Sequence, residues 1–307
     1  YKGLIVTGVL SIGALAAVCA RRDSAVQPTS PSGAPNAGRL VSATPAITEI
    51  IFTIGAGDRL IAVSRFCDEP PEAKTRPSIG DLFNMDYERI IALRPDAVLI
   101  SQSSAYAQHR PFLEKSGARV ISVDDNSVAG IIESFRVIGE LTGCETAAAE
   151  WITAAESRIA AVQARAKTNP HRPRVLLLYS LFNNESTGDG LYACGRGNLY
   201  DELMTLAGGE NANSADAPSA PLLSMERLLA LRPDIIIQLG GDDGGEGLDS
   251  RAVWKGLASI PAVQDQRVYV LSGSRLMRPG PRFIDTLETL ADVIQRPTDA
   301  PVPDAPR

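Results

Sequence analysis

An α/β protein of two like lobes, each with a parallel-rich sheet and joined by one long α-helix, is the architecture this sequence predicts. Three observations carry it. Short apolar strands alternate with amphipathic helices, the pattern of parallel strands covered on both faces. The run Tyr87-Glu88-Arg89-Ile90-Ile91-Ala92-Leu93-Arg94-Pro95-Asp96 returns as Met225-Glu226-Arg227-Leu228-Leu229-Ala230-Leu231-Arg232-Pro233-Asp234, with only Leu-for-Ile exchanges after the first position. Between the copies, residues 145–167 are rich in Ala, Glu, Gln and Arg, the composition of a long helix.

Residues 39–42 open the first strand. Thr44 is placed to cap a helix and Pro45 to occupy its first position. Ile47, Ile50, Ile51 and Ile54 keep the helical period, and Gly55-Ala56-Gly57 stops it. A strand over 60–63 follows. A short helix over 86–93 breaks at Arg94-Pro95-Asp96, before a buried strand over 97–100. Lys115-Ser116-Gly117 turns into a strand over 119–123, and 128–142 is helical. The plan restarts at Arg174, with a strand over 175–179, a helix over 198–206 stopped by Gly208-Gly209, the second Glu-Arg helix, and a strand over 235–239. Glu88 lies 48 residues after Leu40 and Glu226 lies 51 after Val175, so both lobes are expected to share one Rossmann-like plan. Trp151, Ile152, Ala155, Ile159 and Val162 form one apolar stripe on the intervening helix, which would span roughly 35 Å. A single stiff strut predicts a modest hinge motion rather than wide closure.

The expected division is 39–144 for an N-terminal lobe, 145–168 for the linking helix and 173–296 for a C-terminal lobe. Ahead of these, Lys2 precedes the uncharged stretch 3–18, short for a spanning helix of roughly 20 residues and suited to a secretory signal. Leu15-Ala16-Ala17-Val18-Cys19 resembles a bacterial lipoprotein signal in which Cys19 would be lipidated, with Val18 where a smaller residue is usual. Segment 1–19 is therefore read as a signal or lipoprotein-type segment, against plain secretion or an uncleaved anchor. Pro28, Pro31 and Pro35 mark 20–38 as a disordered, solvated tether, and 297–307 as a loose tail. The expected location is periplasmic or extracytoplasmic, with Cys19 as the point of lipid anchoring.

Net charge is -6, which attracts no phosphate backbone, so nucleic acid is not an expected partner. Two histidines rule out a three-histidine metal site, and four cysteines without CxxC spacing rule out a zinc ribbon. Gly-x-Ser-x-Gly is absent. Gly195-x-Gly197 before a helix could bind phosphate, but glycine there also serves any tight turn. The acidic loop from Gly240 to Gly245 lacks EF-hand spacing. No nucleophile–base pair can be assembled, so neither catalysis nor a cofactor is expected. An exported α/β enzyme and a structural surface protein stand as the rival readings.

Four stretches taken in order carry a family likeness: Thr44-Pro45-Ala46-x-Thr48-Glu49, the loop Phe66-Cys67-Asp68-Glu69-Pro70-Pro71-Glu72-Ala73, the doubled Glu-Arg helix, and Arg278-Pro279-Gly280-Pro281-Arg282. Over about 39–294 the chain resembles the substrate-binding proteins of ABC importers for cobalamin, ferric siderophores and heme. The Asp-x-Pro-Pro-Glu-Ala loop leans toward the cobalamin branch. The resemblance implies a protein that acts as a monomer and captures a corrinoid between its lobes, or alternatively a ferric siderophore or heme. It implies delivery to an ABC permease dimer in the cytoplasmic membrane, with Glu88 and Glu226 docking into arginine pockets. The physical logic is independent of the likeness: matched carboxylates on matched helices suit a two-fold symmetric partner.

Ligand contacts are expected at loops after the carboxyl ends of strands. The first lobe offers Phe66, Cys67, Leu82, Phe83 and Ser103. The second offers Tyr179, Phe182 and Asn183 after its opening strand, Tyr192 and Arg196 in a Gly-rich loop, and Arg278. Aromatics suit a broad flat ligand and arginines suit its anionic groups. Some cobalamin binders place Trp near Leu82, and none stands there in this chain. Cys67 and Cys194 could pair in an oxidising compartment or ligate a metal-bearing ligand, although a bridge across the cleft would hinder lobe motion. Cys144 is expected as a buried apolar residue. Tyr106 and His109 are possible iron ligands, with surface placement on a helix the favoured reading.

Overall fold

A computed structural model describes residues 37–169, 171–179, 191–213, 222–240, 254, 256–272, 276, 278 and 280–297. The signal, Cys19, the tether to residue 36, Phe182, Asn183, residues 241–245 of the acidic loop and the tail beyond residue 297 lie outside them.

The first sheet holds four parallel strands: β1 (Leu40–Ser42), β2 (Leu60–Val63), β3 (Ala97–Ser101) and β4 (Arg119–Val123), in the order β2-β1-β3-β4. Its helices are α1 (Pro45–Thr53), α2 (Tyr87–Leu93), α3 (Ser104–Ala107), α4 (Arg110–Glu114) and α5 (Val128–Thr142). Thr44 caps α1 by accepting the Ile47 N–H, and Pro45 takes the first helical position, as the sequence predicts. Helix α6 (Glu145–Thr168) then leads to the second sheet.

That sheet is mixed. β5 (Arg174–Tyr179), β9 (Ile235–Gly240) and β10 (Val268–Ser272) run parallel, and the two-residue β7 (Glu210–Asn211) also pairs parallel with β5. β6 (Leu191–Ala193) and β8 (Leu222–Leu223) are antiparallel additions beside β5. Tyr192 therefore lies on a strand, in register with Tyr179 and Leu222, and not in the Gly-rich loop that the sequence suggests. Around this sheet stand α7 (Leu199–Leu206), α8 (Met225–Leu231), α9 (Pro261–Gln264) and α10 (Phe283–Ile294).

Strand alternation sorts the interior. Leu40, Leu60, Leu99, Val175, Leu177, Ile235 and Ile237 turn to one continuous core shared by both lobes. The opposite faces, Val41, Val98 and Ile100 in one lobe and Leu176, Leu178 and Ile236 in the other, bury in separate smaller cores. The shared core is closed by α1, α5, α6, α7 and α10. Trp151 of α6, half-buried, packs against it. Its ring stacks on Phe135 of α5 at 3.6 Å and meets the edge of Phe283 of α10 at 6.2 Å. Near its carboxyl end α6 is tied to α10 by a ladder: Arg158 pairs with Asp285 and Glu288, and Arg165 with Asp292. The helix thus packs on the first lobe at one end and on the second at the other.

Two residues assigned to the tether, 37 and 38, are packed on the first lobe. Ala37 N–H donates to Leu141 O, and Gly38 N–H to the Asp96 carboxylate, so the end of the expected tether is pinned. Cys144 is half-buried at the cap of α6 rather than fully enclosed. Among the described residues no helix is long and apolar enough to cross a membrane.

Candidate functional site

The carboxyl ends of β1 to β4 form a polar floor. Ser42, Thr48 and Cys67 are linked there: the Thr48 hydroxyl meets Ser42 Oγ at 2.8 Å and Cys67 Sγ at 3.1 Å. Next to them Ser101 donates to Asp125 at 2.6 Å. Burial, only partly offset by that hydrogen bond, raises the Asp125 carboxyl above its ordinary value. Neither Ser101 nor Asp125 stands out in the sequence, although both close strands at the position where this topology gathers ligands.

Above the floor is an apolar rim. Arg65 N–H donates to Gly80 O, and its guanidinium pairs with Asp81 at 2.7 Å. Asp81 in turn accepts the Phe83 and Asn84 N–H groups, which hold its carboxyl below the usual range with Arg65 helping. This ties the loop carrying Phe66 to the loop carrying Leu82 and Phe83. Phe66 is 53% exposed under the Arg65 guanidinium, and Phe83 is 85% exposed at the tip of its turn. Two large apolar rings thus stand exposed on a hydrogen-bonded frame.

The second lobe reaches this rim through Arg278, whose guanidinium makes a two-pronged pair with Asp68. That bond holds the Asp68 carboxyl below its ordinary value and pushes Arg278 higher still. A second crossing pair, Arg282 to Glu49 at 2.6 Å, is more enclosed. Here desolvation outweighs the attraction of Arg282, and the Glu49 carboxyl is raised. A third crossing contact caps α5: Val128 N–H donates to Glu202 of α7 at 2.8 Å. Behind the Glu49–Arg282 pair lies a crevice of about 290 Å³ lined by Phe52, Thr53, Glu69, Pro70 and Pro281. Its size is at the lower end for a small-molecule site, so it is not the place for a corrin or porphyrin.

The expected residues therefore divide. Phe66, Leu82, Phe83 and Arg278 converge on one rim. Cys67 lies beneath it, a buried free thiol pushed up to about 11 by desolvation. Cys194 is also free, sealed in the second lobe with its thiol at Asn198, and no disulfide joins the two. Tyr179 packs edge-on against Tyr200. Ser103 and Arg196 are exposed on their own loops. Tyr106 and His109 do not stand on the surface as expected. Tyr106 donates to Ala43 O, and His109 is buried with Nδ1 against the Tyr87 hydroxyl at 2.5 Å. The rings of Tyr87 and Tyr106 flank the imidazole, each with its centroid 6.0 Å away. Among the described residues no group of three or more His, Cys, Asp or Glu could hold a metal ion. Asp68, Glu49 and Arg282 are the residues the sequence left unmarked; the common signal is their place within the four family stretches.

Glu88 and Glu226 occupy the same position, second in α2 and in α8, and both are exposed.

The family described as periplasmic binding protein matches residues 40–274. The ABC transporter substrate-binding lipoprotein YvrC of Bacillus subtilis is 31% identical over 261 residues, 83% of this chain and 79% of that protein. A vitamin B12-binding protein of Vibrio campbellii is 28% identical over 256 residues, 83% of this chain and 89% of that protein. Among solved structures, the heme-binding protein RhuT of Roseiflexus sp. RS-1 superposes with a TM-score of 0.69 at 26% identity, covering 85% of this chain and 98% of that one. A family match over most of the chain, a relative above 30% identity and the same two-lobed fold agree: the chain belongs to the periplasmic binding protein family, as a substrate-binding protein of ABC transport and not an enzyme.

Proposed function

We propose that this protein captures a corrinoid, cobalamin-like ligand between its lobes and delivers it to a membrane permease through Glu88 and Glu226. The observation that carries the reading is the rim where Phe66 and Phe83 stand exposed, with Leu82 half-buried between Asp81 and Phe83, and where Arg278 pairs with Asp68 two residues after Phe66. The rings offer apolar faces to a broad macrocycle, and Arg278 offers a charge to an anionic or strongly polar side arm. Asp68 already pairs with Arg278, so an anionic ligand group would compete with that carboxylate for the same guanidinium. Ser103, Tyr179, Tyr192 and Arg196 are the remaining proposed contacts, with Phe182 and Asn183 outside the described residues. The binding of vitamin B12 by the Vibrio campbellii relative favours this ligand class.

Heme or a ferric siderophore is the second reading, favoured by the RhuT likeness. Tyr106 donates to Ala43 O and His109 meets the Tyr87 hydroxyl, so iron ligation by either would have to break those contacts. The protein is proposed to act outside the cytoplasm as a monomer, anchored through Cys19. Isothermal titration against cyanocobalamin, cobinamide, hemin and a ferric hydroxamate tests the ligand. Saturable corrinoid binding, weakened about tenfold or more by Arg278→Ala, is expected. Binding of hemin alone, or of none of the four, would overturn the corrinoid assignment.

A further inference from the structure

The exposed large apolar side chains of the described residues are Phe66, Phe83, Ile91, Phe112, Leu222, Met225 and Leu229. Phe66 and Phe83 belong to the ligand rim. All five others fall on or against the two Glu-Arg helices. Ile91 lies three residues after Glu88, so both share one face of α2. Leu229 stands at the same spacing from Glu226 on α8. Phe112 stacks on Tyr87, the first residue of α2, at 5.2 Å. Met225 is the first residue of α8, and Leu222 lies just ahead of its Ser224 cap. The neighbouring repeat positions are buried: Ile90 and Leu228 are both 0% exposed. Nothing in core packing therefore demands a large apolar residue at 91 or 229.

We propose that each lobe docks through a composite patch, a glutamate with an apolar anchor one turn on, onto two equivalent subunits of one integral membrane partner. Each subunit would offer a basic side chain beside an apolar socket. This rests on the docking role of Glu88 and Glu226 and adds its energetic half. A carboxylate pair at an exposed rim orients and speeds encounter but contributes little to affinity, whereas a buried apolar anchor slows release. Duplication at equivalent positions fits a partner that presents the same surface twice. A bare lipid surface does not fit: net charge -6 and a glutamate in each patch oppose anionic headgroups.

The test measures binding of the full-length protein to its cognate ABC permease in nanodiscs by biolayer interferometry, with empty nanodiscs beside them. Ile91→Ser and Leu229→Ser are each expected to weaken binding about tenfold, and together about a hundredfold. Binding that remains in the double variant should still fall steeply with salt, because its charge contact persists. Glu88→Ala with Glu226→Ala should show the opposite pattern, weaker binding with a flattened salt response. Thermal unfolding confirms the fold, and Ile91→Thr with Leu229→Gln serves if the serines destabilise it. An apolar double variant that binds within twofold of the parent overturns the inference. If the glutamate variant alone is impaired, the docking reading survives that failure; if both variants bind normally, the docking reading falls too. Equal binding to empty nanodiscs also overturns the inference, in favour of lipid.

Discussion

At the end of α2, Arg94 turns into the left-handed region with φ 46°, and the Asp96 carboxylate accepts the Gly38 and Arg39 N–H groups, both at 2.8 Å. At the end of α8, Arg232 does the same with φ 44°, and the Asp234 carboxylate accepts the Arg174 N–H at 2.8 Å. In each copy the Asp N–H also returns a hydrogen bond to the arginine that opens the lobe's first strand, Arg39 or Arg174. The repeated Arg-Pro-Asp is thus a backbone latch between one strand and the next, not a recognition motif. The lobes differ in how much hangs on it. In the first, Asp96 holds two donors and Arg39 also reaches Leu93 O at 2.7 Å. What is repeated positions the helices; the residues proposed to contact the ligand sit outside the repeat.

The largest expected effect comes from a side chain that meets an aromatic ring of each lobe. Trp151→Ala should cost about 3–5 kcal/mol and leave a single urea transition, since the core is continuous. Two separated transitions in the variant would mean that the lobes stand independently. The latches give the next effect. Asp96→Ala should cost about 2 kcal/mol and Asp234→Ala about 1, each followed by urea midpoint, because the first loses two charge-assisted bonds and the second one. Equal losses would erase the distinction between the copies.

The smallest effect concerns the crossing pairs, in which Glu49 and Asp68 of the first lobe meet arginines of the second. Burial raises Glu49, so protonating it favours the folded state. That contribution is complete below its ordinary 4.5 and is lost as pH rises through the raised value. Asp68 is lowered by Arg278, so its contribution is present above its ordinary 3.8 and lost as pH falls through the lowered value. Stability profiles of Glu49→Gln and Asp68→Asn should therefore diverge from the parent on opposite sides of about pH 4. Parallel profiles throughout would show that neither carboxylate is coupled to folding through its pair.

Much of this fold is legible in the chain. The cap at Thr44, the strand over 60–63, the long helix and the Arg-Pro-Asp breaks follow from local periodicity and turn chemistry, whereas Asp86, read as helical, caps α2 instead. Helix α10 is missing from that reading although Phe283, Ile284, Leu287, Leu290, Ala291 and Ile294 spell out its buried face; the Pro- and Gly-rich stretch before it masked its start. β6 and β8 are too short to show alternation. The proposed contacts Phe66, Phe83 and Arg278 are chosen from topology alone. The pairing of Arg278 with Asp68 could not be read in this way, since it joins residues 210 positions apart. His109 shows the same limit: it falls in the turn between α3 and α4 and not on a helix surface, and the Tyr87 hydroxyl that meets it there is brought in by the tertiary fold.

Trp151 has a practical corollary. The chain has two tryptophans, and this one lies wedged between an aromatic ring from each half of the molecule. Any rotation of one half against the other must change the stacking around that indole. With Trp254→Phe the molecule becomes a single-lamp instrument, whose emission reports on its own hinge without any added label.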